Sequence, residues 1–235
     1  MFFFFFLLFR RPPGSTLFPY TPLFRSFLQG LRDLTKRYNI PLIFDEVVTS
    51  FRLAYGGAQE FYGVTPDICT VGKIMGGGYP LAAVTGRADI LSVYDRSASD
   101  NDTYVNQIGT LNGNPVACAA GLATLEVMRE PATYTKIHGA GAAIRNALVD
   151  ICQQNGVPVQ SCGEDAIFDV YFSEQPISNY RDTLSADSAM MTRFNTGLLE
   201  RGILKGAQKY YPSAVHSTND VEKTIQAMQE AVPRI

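Results

Sequence analysis

Leu42-Ile43-Phe44-Asp45-Glu46-Val47-Val48-Thr49-Ser50-Phe51-Arg52, followed later by Gly72-Lys73-Ile74-Met75-Gly76-Gly77-Gly78, are the two segments that decide how this 235-residue chain folds. The apolar run Leu42 to Phe44 has the character of a buried strand, and it delivers Asp45 at its end. Lys73 stands among glycines that let the chain turn sharply. The pair predicts a buried acid and a buried amine. Neither half is diagnostic alone, because an apolar run closed by Asp-Glu also describes the magnesium-supporting strand of phosphate-loop NTPases, and a lysine beside glycines also describes a solvated loop.

The NTPase reading makes Asp45 a magnesium support and Glu46 the residue that polarises water. It requires Gly-x-x-x-x-Gly-Lys-Ser/Thr ahead of the acidic strand. The Gly72-Lys73 pair is followed by Ile74, has Asp67 where the first glycine belongs, and lies after the strand. The order and the residues both argue against a nucleotide loop.

Working outward, Phe27, Leu28, Leu31, Leu34, Thr35 and Tyr38 recur at helical spacing, with Arg32, Asp33, Lys36 and Arg37 on the other face. This predicts an amphipathic helix over 27–38, ended by Asn39, and then a strand over Ile40 to Phe44. Ile68-Cys69-Thr70-Val71 and Leu81 to Thr85 are further short strands, so the pattern is that of sheet strands covered by helices. Polar residues at the strand ends are where a ligand belongs. Asn114-Pro115 opens a helix, with Asn as N-cap and Pro in the first turn, and this helix is expected to link two domains. Beyond it come a helix over 133–154, a turn at Gly156-Val157-Pro158, a strand over Ile167 to Phe172, a helix over 187–201, a short strand near Ile203 and a helix over 219–231. That order reads as a small α+β domain.

Composition narrows the partners. The chain is 46% hydrophobic and 18% charged, enough apolar material for one or two packed domains. Its 20 basic and 22 acidic residues leave a net charge of −2 without long runs of either sign. No electrostatic footprint for nucleic acid or an anionic membrane is visible, which points to small-molecule partners. Cys69, Cys118, Cys152 and Cys162 have no Cys-x-x-Cys spacing, and His138 and His216 are the only histidines, so no metal site is expected and a reducing, cytoplasmic setting is.

Residues 1–26 stand apart. Met1 to Leu8 is nearly all Phe and Leu, too short to span a bilayer, and the charges of Arg10 and Arg11 follow the apolar run where a signal peptide has them before it. Phe2 to Phe6 is what a thymine homopolymer encodes, and Thr16 to Ser26 resembles a translated sequencing adapter. The expectation is that this segment is not native and that native sequence begins near Phe27, inside a longer gene.

The blocks Leu42 to Arg52, Tyr55-Gly56-Gly57-Ala58-Gln59-Glu60, Gly63-Val64-Thr65-Pro66-Asp67, Gly72 to Gly78 and Gly109-Thr110-Leu111-Asn112-Gly113-Asn114-Pro115 occur in that order. They closely resemble the class III, fold type I, pyridoxal-phosphate aminotransferases, particularly the glutamate-1-semialdehyde aminomutase-like branch. The resemblance implies an α/β fold: residues 27–125 as part of a cofactor-binding large domain with a mostly parallel sheet, and 126–235 as a small α+β C-terminal domain. It implies that Lys73 carries pyridoxal 5'-phosphate as a Schiff base and shuttles the substrate's α-proton. It gives Asp45 the pyridine nitrogen and Val47 the face of the ring. It places Gly109 and Thr110 at the cofactor phosphate of a neighbouring subunit, and so implies a homodimer.

The match has gaps. Ser50 stands where the family usually has Gly. The stretch Lys205 to Ser213 lacks the acid expected in a true aminomutase, which favours transfer from an amino donor to a separate keto or aldehyde acceptor over the intramolecular aminomutase reaction. The family's phosphate-binding loop and ring-stacking aromatic lie upstream of the Asp strand, and this chain holds neither. The chain as written is therefore expected to be inactive alone, and a catalytically silent dimerisation fragment is the alternative from another class.

Overall fold

A computed structural model describes residues 20–100 and 102–235. The expectation that residues 1–26 are foreign falls mostly outside these, although Tyr20 to Ser26 belong to a helix. Two compact units divide along the sequence between Tyr134 and Thr135, where the sequence reading sets the boundary at 125. No helix among the described residues is long and apolar enough to cross a membrane.

The first unit opens with α1 (Tyr20–Arg37), whose C-terminal end lies one residue before the predicted one. Asn39 closes it at a left-handed φ of 52°, and the Ile40 N–H donates to Thr35 O at 2.9 Å, a helix stop that Asn tolerates better than most residues. β1 (Ile43–Glu46), the short α2 (Gly57–Tyr62) and β2 (Ile68–Val71) follow, and then β3 (Ala83–Gly86) and α3 (Ala88–Leu91). The sheet order is β1-β2-β3. β1 and β2 are parallel, with Asp45 opposite Thr70 and Glu46 opposite Val71, whereas β3 runs antiparallel to β2. The predicted strand at 40–44 thus forms further along the chain, because ladder pairing extends it into the acidic residues.

Asp67 fastens the base of this sheet. Its carboxylate accepts from the Leu42 N–H at 2.8 Å and pairs with Arg32 of α1 at 2.8 Å and Arg87 at 3.1 Å. Burial alone would raise this carboxyl, but the Leu42 N–H and the two guanidiniums hold it down at about 2.

The unit is completed by α4 (Pro115–Arg129). Asn114 caps it as expected, its Oδ1 accepting from the N–H groups of Val116 and Ala117 at 3.0 and 3.1 Å. Ala117 and Gly121 form a buried small-residue face, and a Cβ on Gly121 would strike the Leu81 side chain and approach Met75 O. This close approach lets α4 back the segment that follows β2.

The second unit is the expected α+β arrangement. α5 (Pro131–Gln154) leads into an antiparallel sheet of β4 (Gln160–Glu164), β5 (Ile167–Tyr171) and β6 (Lys209–Tyr210), covered by α7 (Ser188–Glu200) and α8 (Thr218–Ala231), with α6 (Tyr180–Thr183) a single turn between β5 and α7. Leu148, Phe168, Phe172, Phe194, Leu198 and Met228 fill its core, and Phe168 stacks on Tyr210 at 4.6 Å. The third strand is not near Ile203. There the Ile203 N–H donates back to Leu198 O at 2.9 Å beside Gly202 at φ 77°, which makes the segment the closing turn of α7. Pairing with β5 instead falls to Lys209 and Tyr210.

Candidate active site

Successive residues of a strand face opposite ways, and β1 uses this to separate two carboxylates. Glu46 is 1% exposed, whereas Asp45 is exposed, so the buried acid of this stretch is Glu46. Lys73 is exposed as well, and the expectation of a buried acid with a buried amine is corrected on both counts.

Glu46 is fully employed in architecture. Its carboxylate accepts from the Ala58 N–H, the Gln59 N–H at 3.0 Å, the Gln59 side chain at 3.3 Å and the Thr49 hydroxyl at 3.0 Å. Two of these are N-terminal N–H groups of α2, which otherwise lack intrahelical partners. Gly57 makes the contact possible: its φ is 75°, and a Cβ there would strike Glu46 Oε2 and come within 3.1 Å of Ser50 Cα. The Tyr55 to Glu60 block is thereby explained, and Glu46 has no oxygen left to polarise water as the NTPase alternative requires. Ser50 is buried beside it, its hydroxyl without a hydrogen-bond partner among the described residues.

Asp45 is held differently. Its Oδ1 accepts from the Val47 N–H and from the Thr70 hydroxyl of β2, each at 3.1 Å, while Oδ2 takes no hydrogen bond from a described residue. Lys73 opens a 3-10 turn, Lys73–Gly76, immediately beyond β2. Its φ of 49° lies in the left-handed region, an unfavourable place for a residue with a Cβ, and its Nζ forms no ion pair or hydrogen bond among the described residues. Because β1 and β2 are parallel and in this register, Asp45 and Lys73 leave the sheet at the same carboxyl edge. In open α/β sheets that edge is where ligands bind.

The surroundings keep the edge open and firm. Val47 is half-buried, and its Cγ1 lies 3.7 Å from where a Gly72 Cβ would be, so its side chain stands between the two strand ends. Behind the lysine turn, Gly77 at φ 57° leaves no room for a Cβ against Thr124 of α4. An amine and a carboxylate oxygen that have no partner among the described residues, with the Val47 side chain between the strand ends, can together receive a flat, polar-edged ring. Thr70 is the participant that sequence reasoning missed, although its place opposite Asp45 follows once the strand register is known.

Gly109 and Thr110 lie in an exposed turn where Gly109 O accepts from the Asn112 N–H at 3.0 Å. No hydrogen bond or ion pair joins either residue to Asp45, Val47 or Lys73 among the described residues.

A family model described as Aminotransferase class-III matches residues 20–232. Over 208 residues the chain is 39% identical to the glutamate-1-semialdehyde 2,1-aminomutase of Pelotomaculum thermopropionicum, an overlap that covers 87% of this chain and 47% of that protein. The fold superposes on the crystal structure of an omega-transaminase from Sphaerobacter thermophilus with a TM-score of 0.81 at 34% identity, covering 88% of this chain and 47% of that one. A β-phenylalanine aminotransferase from Variovorax paradoxus gives a TM-score of 0.78 at 28% identity, with 87% and 47% covered. The chain spans about half the length of the relatives it matches.

Proposed function

Because the chain belongs to the class III aminotransferase family, we propose that it serves pyridoxal-phosphate-dependent transfer of an amino group from a small amino donor to a keto or aldehyde acceptor. The observation that carries this reading is the placing of Asp45 and Lys73 at one carboxyl edge of a parallel strand pair, each with a reactive atom unengaged. The donor set fits the cofactor: an amine for its aldehyde carbon, a carboxylate for its ring nitrogen and Val47 for its apolar face. When bound, the cofactor supplies an electron sink for the substrate's α-carbon. With the cofactor bound, Lys73 Nζ would take the α-proton and return it, and the Asp45 carboxylate would keep the ring nitrogen protonated.

We further propose that Gly109 and Thr110 serve the cofactor phosphate of a second copy, which makes the protein a homodimer. A cytoplasmic setting is proposed as well, in keeping with four cysteines that show no Cys-x-x-Cys spacing. The chain alone is proposed not to turn over amino donors. The second reading, an intramolecular aminomutase, is favoured by the 39% identity to a glutamate-1-semialdehyde aminomutase and disfavoured by the missing acid between Lys205 and Ser213.

The test is to incubate the chain with pyridoxal phosphate, reduce with borohydride and map the modified lysine. Lys73 is expected to carry most of the label, with Asp45→Asn reducing it. Label spread over exposed lysines such as Lys36, unchanged by Lys73→Ala, would sink the reading.

A further inference from the structure

Thr70 stands directly across the parallel ladder from Asp45, and its hydroxyl donates to Oδ1 at 3.1 Å. The Val47 N–H donates to the same oxygen, also at 3.1 Å. The Val47 donor is backbone and belongs to the turn that Asp45 itself begins. Thr70 is therefore the one side chain among the described residues that grips this carboxylate from another element. A carboxylate on an exposed strand end has two soft torsions, and fixing it on binding costs rotamer freedom unless something has fixed it beforehand. Both donors take Oδ1, so the lone pairs of Oδ2 are left for an incoming N–H.

We propose that Thr70 is a positioning residue for Asp45, holding the carboxylate by one oxygen so that the other meets the ring nitrogen of a bound pyridoxal phosphate. This rests on the reading of Asp45 given above. It differs from a packing role, in which a β-branched residue merely suits a strand, because valine would then serve as well.

The experiment compares wild type, Thr70→Val, Thr70→Ser, Asp45→Asn and the Thr70→Val/Asp45→Asn double variant of the full chain. The readout is the pyridoxal phosphate concentration that half-saturates borohydride labelling at Lys73, with thermal melting as a check on the fold. Thr70→Val is expected to raise that concentration about tenfold, as loss of one hydrogen bond to a charged acceptor does, while Thr70→Ser stays within about twofold. The double variant is expected to bind no worse than Asp45→Asn alone, since Thr70 acts through the carboxylate. Wild-type behaviour of Thr70→Val, or effects of the two substitutions that multiply, overturns the proposal while the Asp45 reading stands. If Asp45→Asn leaves labelling unchanged, the reading of Asp45 fails and the role of Thr70 falls with it.

Discussion

Replacing Gly57 with alanine tests the architecture that sets the site in place. The new Cβ meets two obstacles, a backbone at φ 75° and the oxygen of a buried, four-times hydrogen-bonded carboxylate. Holding a residue with a Cβ in the left-handed region costs about 1–2 kcal/mol. Pushing Glu46 off the N–H groups of Ala58 and Gln59 costs a further ~1.5–3 kcal/mol, because the acceptor is charged and buried. The reduced freedom of the unfolded chain returns about 0.4–1 kcal/mol. The net is a destabilisation of roughly 2–4 kcal/mol, well outside the range of an ordinary surface substitution. With no tryptophan in the chain, urea unfolding is followed by far-UV circular dichroism, and amide exchange at β1 and α2 localises the loss to the first unit. The same substitution in a Glu46→Ala background removes the carboxylate obstacle and is expected to cost only the backbone share. A Gly57→Ala variant within about 0.5 kcal/mol of wild type, or one whose cost is the same in both backgrounds, would refute the reasoning.

Two further outcomes are expected. Asp67, held at about 2 against an ordinary 3.8, has a folded-state value below its unfolded one, so its stabilisation is complete above roughly pH 4 and is lost as pH falls toward 2. Asp67→Asn leaves the buried Arg32 without its carboxylate and should lower stability by about 2–3 kcal/mol at neutral pH. It should also flatten the urea midpoint between pH 4 and 2, and an unchanged acid slope would show that Asp67 is not responsible. In the second unit, Tyr210 buries a hydroxyl with no partner among the described residues while its ring stacks on Phe168. Tyr210→Phe keeps the ring and removes the unpaired group, so the melting temperature is expected to hold or rise, and a clear fall would show that the hydroxyl is satisfied in solution.

Much of this was legible in the sequence where local chemistry decides structure. β2 forms over the predicted residues Ile68 to Val71, and α7 and α8 begin within a residue of expectation because Asp187 and the Ser217–Asp220 capping box mark their starts. Prediction failed where partners distant in sequence decide. The apolar run alone put a strand at 40–44, but pairing with β2 carries it through Asp45 and Glu46. β4, polar from Gln160 to Glu164, shows no apolar signal and exists because β5 pairs with it. Ile203 looked like a strand residue yet caps a helix. The acid and amine were found as a pair by motif, but their burial was not, because a one-residue alternation decides which of two adjacent carboxylates faces inward.

The left-handed lysine has a consequence for anyone who evolves or redesigns this protein. At φ 49° the position would suit glycine or asparagine better than lysine, so the residue proposed to bear the chemistry sits against the preference of its own backbone. A library screened only for heat resistance or soluble yield will therefore tend to discard the amine and report the loss as an improvement. Selection on this fold has to keep cofactor capture in the screen, or it will enrich scaffolds that have given up the proposed cofactor lysine.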